Sequence, residues 1–229
     1  MSNRSIHTLL KNWDEECPLT REEAVEVLNL PEEEMDSLME CAYALRTKYK
    51  GKKVSVQLLT NVRSGNCTQN CAYCAQSKDS QAEIEKYKRV SDEKLYGDND
   101  LVDEKHLARH CIGLSGIGFS DEEIEDLADR IREMKKKDTQ ICCSIGFLTE
   151  KQARILKDAG LDRINHNLNS SRSFYPEICT THTYDQRVNN IKMLQSLGFE
   201  ICSGGIVGMG ESKEDIVDML MDLREINPE

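Results

Sequence analysis

The sequence predicts an α/β fold in which helices cover a parallel sheet. Apolar stretches of strand length alternate with amphipathic helical stretches from residue 53 onward. Each of the last four predicted helices begins at a Ser or Thr that is followed, three positions later, by an acidic or amide residue, a pattern typical of helix starts. The strands are short and apolar on both faces, as expected beneath covering helices. Strands that alternate with helices form βαβ units, whose strands run parallel.

The first 50 residues are predicted to form a helical segment that precedes an α/β core at residues 51–229. Thr20 and Glu23 form a capping box that opens the first helix. A second helix follows Pro31 and ends before Gly51. Two cysteines lie in this segment, and we interpret both as buried or incidental thiols; they are Cys17 and Cys41.

The core begins with a predicted strand at 53–62, followed by a cysteine-rich loop, a polar segment at 78–90 and a helix at about 91–109. Four strand and helix units follow, with Gly160 and Gly198 where helix-ending glycines belong. Their strands are CIGLSGIGF, QICCSIGF, DRINHNL and EICSGGIVGMG. Their capping pairs are Ser120 with Glu123, Thr149 with Gln152, Thr183 with Gln186, and Ser212 with Asp215.

Composition and charge exclude several classes of partner. The chain of 229 residues has a net charge of −11, and an acidic protein offers no electrostatic footprint for nucleic acid or anionic membranes. The N-terminus lacks the apolar stretch of a secretory signal, and no segment approaches 18 apolar residues. We therefore expect a cytoplasmic protein that binds neither nucleic acid nor a membrane. In that compartment its ten cysteines favour metal or redox chemistry over disulfides.

The loop after the first strand holds three cysteines with the spacing C-x3-C-x2-C, at Cys67, Cys71 and Cys74. Ligand sites of α/β proteins form at this end of the strands. An iron–sulfur cluster that carries electrons takes four thiolates, so three would leave one iron of a 4Fe–4S cluster open to a substrate or cofactor. The alternative is a zinc site completed by a Cys or His from elsewhere in the chain.

The loop sequence GNCTQNCAYCAQS resembles the radical S-adenosylmethionine (radical SAM) motif in the form found in the biotin synthase family. Four more segments are similar to that family in the same order, namely HCIGLSG, LKDAGLDRINHNLNSS, ICTTHTYDQRVNNIKMLQSLG and EICSGGIVGMGES. The resemblance covers residues 40–229. It implies a radical SAM TIM-type (β/α) barrel that inserts sulfur into dethiobiotin to form biotin. It also implies a flavodoxin or ferredoxin as electron donor, and a homodimer.

The resemblance implies a 4Fe–4S cluster on Cys67, Cys71 and Cys74, whose open iron is chelated by S-adenosylmethionine (SAM). It assigns Asn165 to the ureido ring of dethiobiotin. The residues that it assigns to SAM are Tyr73, Asn167, Asn169, Arg187, Gly204, Ile206, Gly208 and Glu211. Independently of the resemblance, the three asparagines recur with period two, which places them on one face of a strand. The family often has Asp at the third position, where this chain has Asn169.

The resemblance further implies an auxiliary iron–sulfur cluster, 2Fe–2S or a variant, that donates the sulfur. Its ligands would be Cys111, Cys142 and Cys202, each on a different predicted strand. Because alternate strand residues face opposite sides, Cys142 and Cys143 should point in opposite directions. The spacing back from Gly146 favours Cys142 as the ligand.

The remaining cysteines and histidines of the core are interpreted as structural. Cys143 and Cys179 are extra thiols, His106 and His182 are ordinary helix and loop residues, and His166 faces away from the asparagines. The alternative is a variant auxiliary cluster, signalled by both extra cysteines together with Arg109 and His110.

The predicted barrel is incomplete. A full (β/α)8 barrel takes about 250 residues, whereas only about five parallel strands are predicted here after the helical extension. The later strands of the family, one of which carries an arginine ligand of the auxiliary cluster, have no counterpart. We therefore expect a short or C-terminally truncated form that exposes one apolar sheet face. The alternatives are another radical SAM enzyme of related sequence, or a non-catalytic fragment that binds an iron–sulfur cluster or zinc.

Overall fold

The structure, a computed structural model, describes residues 18–228. Two helices precede the sheet, with a short 3-10 turn at Glu32–Glu34 between them; they are α1 (Arg21–Leu28) and α2 (Met35–Lys50). The strands are β1 (Gln57–Arg63), β2 (Arg109–Leu114), β3 (Ile141–Ser144), β4 (Arg163–Asn165) and β5 (Glu200–Cys202). The remaining helices are α3 (Asp92–Glu104), α4 (Asp121–Met134), α5 (Glu150–Asp158), α6 (Tyr175–Ile178), α7 (Tyr184–Ser196) and α8 (Lys213–Ile226).

The five strands form one parallel sheet in the order β1-β2-β3-β4-β5, which confirms the predicted α/β class and strand number. One row across the sheet consists of register partners that are all buried: Ile112, Cys143, Ile164 and Ile201. These side chains belong to the main hydrophobic core, together with apolar residues of the helices. Burial of this sheet face stabilises the fold by about 25 cal/mol for each Å² of apolar surface removed from water.

All five predicted capping boxes are present. In α4, for example, Ser120 Oγ accepts a hydrogen bond from the Glu123 amide, and the Glu123 carboxylate accepts one from the Ser120 amide. A cap of this kind stabilises a helix by about 1 kcal/mol. Gly160 and Gly198 follow α5 and α7 with φ of 95° and 77°, a left-handed conformation that glycine adopts without steric cost.

Several elements differ from the sequence prediction, and each of β2 to β5 ends earlier than the stretch predicted for it. The helix expected at about 91–109 ends at Glu104, because the chain turns at His106, where φ is 50°, and then joins the sheet. The first strand begins at Gln57 rather than residue 53. The long loop after β4 contains the short helix α6, whose second residue is Pro176. Cys17 lies outside the described residues.

The other face of the sheet is open. A second row of register partners crosses this face, formed by Leu59, Cys111, Cys142, Arg163 and Glu200. Leu59 is 67% exposed although it lies within a strand, whereas Cys142 is buried and the row ends in the charged residues Arg163 and Glu200. The face is therefore mixed in character rather than apolar as expected. The described residues form an incomplete (β/α) barrel. Among them, no helix combines the length and the apolar character needed to cross a membrane.

Candidate functional site

The three-cysteine loop begins directly after β1 with a left-handed turn. Gly65 and Asn66 have φ of 75° and 56°, which Gly and Asn tolerate better than other residues. The ends of the loop are then joined, because the Cys67 amide donates to the Gln76 carbonyl at 3.0 Å and the Lys78 amide donates to the Cys67 carbonyl at 2.9 Å. Local backbone hydrogen bonds therefore hold the loop that carries the thiols.

Cys67, Cys71 and Cys74 all line one cavity of about 320 Å³ at the carboxyl ends of the strands. Cys71 is buried, and the other two thiols are half-buried. In residues 18–228, no fourth cysteine lines this cavity. Three soft thiol ligands around an open space fit a 4Fe–4S cluster that keeps one iron free for another ligand.

Gly146 lets the backbone of two loops meet at the wall of this cavity. A Cβ added there would lie 2.3 Å from the Ile117 carbonyl oxygen, and the neighbouring Phe147 amide donates to the same oxygen at 2.7 Å. A side chain at this position would push the two loops apart and change the shape of the cavity.

Asn165, Asn167 and Asn169 line the same cavity, so their amides share one side as predicted. The strand β4 ends at Asn165. The residues that follow it still run alongside the segment after β5 and are hydrogen-bonded to it. The Asn169 amide donates to the Gly204 carbonyl at 3.0 Å, and the Ile206 amide donates to the Asn169 carbonyl at 2.9 Å. Asn169 has φ of 71°, which disrupts simple alternation at the third asparagine. His166 also contributes to the cavity wall, and its ring packs against Phe147 with ring centroids 5.3 Å apart.

Arg187 of α7 presents its guanidinium group in the cavity wall. Its Nη1 donates to the Asn167 carbonyl at 3.1 Å, and its Nε donates to Tyr175 Oη at 2.5 Å. These contacts hold a cation beside the asparagines, where an anionic group of a ligand would be stabilised. The position agrees with the predicted contact to the SAM carboxylate, and that contact remains a prediction.

His182 lies in a loop, as predicted, and its buried side chain is part of the same wall. Its Nε2 lies 3.0 Å from Arg187 Nη2 and 2.8 Å from Tyr175 Oη. Burial lowers the pKa of His182 to about 4, so the imidazole is neutral near pH 7. Neighbouring Cys179 lies behind the loop, with its Sγ 3.7 Å from Cys71 Sγ. The contacts of His182 and Cys179 with this region were not predicted, because both residues are far from Cys71 in sequence.

Cys111, Cys142 and Cys202 lie outside the cavity but on one face of the sheet. Cys111 and Cys142 are register partners, and Cys202 is two residues beyond Glu200 of the same row. A hydrogen bond from Cys142 lowers the pKa of Cys111 to about 7, assisted by the positive charges of nearby arginines. The geometry brings the three thiols to the same side, while their role as cluster ligands stays a prediction.

The alternative ligand set for a variant auxiliary cluster is not brought together. Cys143 faces the helices and is fully buried in the core, which confirms that it points away from Cys142. His110 is also buried, between Thr60 Oγ1 at 2.8 Å and Asn99 Oδ1 at 3.2 Å. Both therefore lie on the opposite side of the sheet from Cys111.

The open face carries a charged pair that the sequence prediction missed. Arg163 lies in the row with Cys111 and Cys142, and its Nη2 donates to Glu200 Oε2 at 2.6 Å. The positive charge of Arg163 also favours the thiolate form of Cys111. The only signal in the sequence was a charged residue inside an apolar strand.

The predicted adenine-pocket residues do not line the cavity; these are Gly204, Ile206, Gly208 and Glu211. The Glu211 carboxylate instead accepts hydrogen bonds from the Gly208 and Met209 amides at 2.6 and 2.8 Å and closes the turn after β5. Met209 then reaches a neighbouring cavity that is shared with Tyr73 and Phe174. Tyr73 lines both cavities.

Comparison with known proteins gives matches along most of the chain. The family model described as the radical SAM superfamily matches residues 61–223. Biotin synthases of Geobacillus kaustophilus and Bacillus subtilis (strain 168) are each 40% identical over 210 residues, which is 91% of this chain. The biotin synthase of Rhodopirellula baltica is also 40% identical over 210 residues. The chain spans 63%, 63% and 58% of the lengths of these relatives.

Solved structures agree with the fold. Methylornithine synthase matches 97% of this chain and 64% of its own, with a TM-score of 0.82 and 17% identity. The FeFe-hydrogenase maturase HydG from Carboxydothermus hydrogenoformans matches 97% of this chain and 53% of its own, with a TM-score of 0.81 and 19% identity. The matched family region includes the last three residues of β1, the cysteine loop and the whole of β2 to β5. The chain therefore belongs to the radical SAM superfamily.

Proposed function

We propose that this chain takes part in biotin formation by inserting sulfur into dethiobiotin through radical SAM chemistry. One observation carries this proposal: Asn165, in the wall of the cluster cavity, is the register partner of Cys202 on the open face. The cavity for the radical source and the strand cysteines therefore meet at one point of the sheet. A substrate held there would contact both regions.

The loop thiols of Cys67, Cys71 and Cys74 would hold the 4Fe–4S cluster. When bound, such a cluster supplies the electron that cleaves SAM and releases a 5′-deoxyadenosyl radical. The Arg187 guanidinium, held by Tyr175 and by the Asn167 carbonyl, would pair with the SAM carboxylate. This fixed cation would orient SAM before its sulfonium group is reduced.

The remaining SAM contacts would come from the asparagines and Tyr73. The amides of Asn167 and Asn169 would hydrogen-bond the ribose hydroxyls, and an amide is able to donate as well as accept. Tyr73 lies between the cluster cavity and the adjoining cavity, where its ring would pack against the adenine. Together these residues would exclude water from the site of radical formation.

Asn165 would bind the ureido ring of dethiobiotin, which offers both N–H donors and a carbonyl acceptor. Its side chain lies 3.4 Å from Asn167 Oδ1 and 3.5 Å from Ser144 Oγ, which restrict its orientation. From this position the substrate would extend toward Cys202. Cys111, Cys142 and Cys202 would hold the auxiliary cluster as the source of sulfur.

Two partners belong to the same proposal. A flavodoxin or a ferredoxin would supply electrons, as the reaction needs a one-electron reductant of low potential. The chain would work as a homodimer. Sedimentation of the reconstituted protein would test the dimer, and a monomer would contradict that part of the proposal.

The proposed reaction is tested by anaerobic reconstitution with iron and sulfide, followed by reductant, SAM and dethiobiotin. Formation of 5′-deoxyadenosine and biotin, measured by mass spectrometry, is the expected result. A Cys74→Ala variant should form neither product. Cys41→Ala removes a thiol from α2, outside the site, and should behave as the unsubstituted chain does.

Three other outcomes would contradict the proposal in different ways. Deoxyadenosine without biotin would support radical SAM chemistry on a different substrate. Absence of both products from a chain that carries a complete cluster would leave a non-catalytic iron–sulfur protein. Binding of zinc in place of iron during reconstitution would favour the zinc alternative.

A further inference from the structure

A second group of potential metal ligands lies directly behind the cysteine loop. Cys71, Cys179 and His182 are all buried, and their ligand atoms all lie within 4.8 Å of one another. Within residues 18–228, this is the one set of three Cys, His, Asp or Glu residues that meets this distance limit. It contains one loop cysteine and two residues that the proposed reaction does not use.

Two of the three distances in this group match those around a mononuclear ion, and the third is below 4.8 Å. Tetrahedral zinc has Zn–S bonds of about 2.3 Å and Zn–N bonds of about 2.0 Å, which place two sulfurs about 3.8 Å apart and a sulfur and a nitrogen about 3.5 Å apart. The observed separation of Cys71 Sγ and Cys179 Sγ is 3.7 Å. Cys179 Sγ and His182 Nδ1 are 3.3 Å apart. Both of these distances are within a few tenths of an ångström of the tetrahedral value.

Backbone contacts hold the two segments that carry these ligands together. The Ala72 amide donates to the Ile178 carbonyl at 2.9 Å, so Cys71 and Cys179 lie side by side. The Asn70 side chain adds contacts to the Thr180 and Thr181 amides at 3.0 and 3.3 Å. The sulfur atoms are therefore held near one another by the main chain.

We propose that Cys71, Cys179 and His182 form a mononuclear site for a thiophilic divalent cation of the Zn²⁺ class in the chain that carries no iron–sulfur cluster. The fourth position would be taken by water or by Gln69 Oε1, which lies 2.8 Å from His182 Nδ1. A separate cavity of about 400 Å³ borders both Cys179 and His182 and provides an entry path that avoids the cluster cavity.

Occupation of this site would exclude the cluster, because both need the Cys71 thiolate. It would also remove one of the three contacts that hold Arg187. With a cation on Nδ1, the imidazole proton resides on Nε2, which then donates to Tyr175 Oη at 2.8 Å instead of accepting from Arg187 Nη2. The cation would therefore compete with the cluster for Cys71 and loosen the Arg187 guanidinium in the cavity wall.

The test is a titration of the full-length, cluster-free chain with Co²⁺, whose thiolate charge-transfer absorption reports sulfur ligation. Cys111, Cys142 and Cys202 are first replaced by Ala, because a competing thiol group would also bind Co²⁺. About one equivalent of Co²⁺ should bind, and Zn²⁺ should displace it. The further pair of changes Cys67→Ala and Cys74→Ala should leave this absorption in place.

Loss of a ligand should weaken binding strongly. Cys179→Ala and His182→Gln should each lower Co²⁺ affinity at least about tenfold, since even outer contacts of metal sites contribute that much. Cys41→Ala is the matched control and should bind Co²⁺ as its parent does. Full binding by Cys179→Ala, together with its loss in the Cys67→Ala and Cys74→Ala chain, would place the ion on the loop cysteines and overturn the proposal.

X-ray absorption is also measured on the Zn²⁺-loaded parent chain, in which only Cys111, Cys142 and Cys202 are replaced by Ala. This measurement keeps the test valid where a ligand variant fails to fold. Two sulfur scatterers and one imidazole are expected from this ligand set. Three or four sulfurs without imidazole would overturn the proposal. None of these measurements depends on SAM cleavage, so failure of the cation site and failure of the proposed function are distinguishable.

Discussion

The two sets of cysteines in this protein are held in different ways. The loop set, Cys67, Cys71 and Cys74, comes from eight consecutive residues and is closed by its own backbone hydrogen bonds. The strand set, Cys111, Cys142 and Cys202, comes from three strands and is aligned by the parallel register of the sheet. A local set depends on one turn, whereas a distributed set depends on the whole sheet.

Their surroundings differ as well. The loop set faces a cavity whose wall includes the asparagines, Arg187 and His182. The strand set lies on the open face beside Arg163, whose charge favours the thiolate form of Cys111. Burial is alike in the two sets, since each has one buried and two half-buried thiols. Nearby charges tune iron–sulfur clusters, so the two regions should differ in cluster retention and in thiol reactivity.

The largest expected effect is that removal of a loop cysteine and removal of a strand cysteine abolish different products. Cys74→Ala should abolish both the cluster and deoxyadenosine formation, because one thiolate of the loop set is removed. Cys142→Ala should retain deoxyadenosine formation while losing biotin. Iron analysis with product quantification on both variants checks this, with Cys41→Ala as the control. Loss of deoxyadenosine in both variants would show that the two sets are not independent.

The second largest effect concerns the arginine beside each cysteine set, which is Arg187 for the loop set and Arg163 for the strand set. Arg187→Gln should weaken SAM binding by roughly 1.5–3 kcal/mol, the contribution of a charge-assisted hydrogen bond. Arg163→Gln, on the open face, should leave SAM affinity unchanged. Calorimetric titration of SAM into the reconstituted variants measures both. Equal losses in the two variants would mean that SAM extends onto the open face.

A smaller effect tests the orientation of the adjacent thiols on β3. Cys143→Ser places a hydroxyl in the apolar core and should lower the free energy of unfolding by about 1–3 kcal/mol. Cys142→Ser, on the opposite face, should lower the free energy of unfolding of the cluster-free chain by a smaller amount. Urea unfolding followed by circular dichroism provides the comparison. A larger loss for Cys142→Ser would contradict the observed orientation.

The smallest effect is the pH dependence of alkylation at Cys111. Its pKa is lowered to about 7, so the reactive thiolate is lost as the pH falls through that value and is present above it. In the cluster-free chain, the rate of reaction with iodoacetamide should be half-maximal near pH 7. Arg163→Gln should move this midpoint to higher pH. Peptide mapping by mass spectrometry gives the rate at this cysteine, and a midpoint near the ordinary thiol value would contradict the assignment.

Most of the fold and part of the site were predictable because their signals are local. Alternation of apolar and amphipathic stretches predicted five parallel strands, and the spacing of Ser or Thr from Glu, Gln or Asp predicted every capping box of the described part. Period-two alternation also separated Cys142 from Cys143 correctly. Boundaries such as the end of α3 at Glu104 were not predictable, because pairing between β1 and β2 decides them.

The sequence by itself determined the cysteine loop, since the spacing of Cys67, Cys71 and Cys74 along one short turn is visible without any fold. Only the tertiary structure placed Cys179 against Cys71 and joined His182 to Arg187 in the cavity wall. It also placed Glu211 in the turn after β5 rather than in the cavity. The physical reason is distance along the chain: contacts between remote segments depend on the path of the loops above the sheet, and no local residue pattern encodes that path.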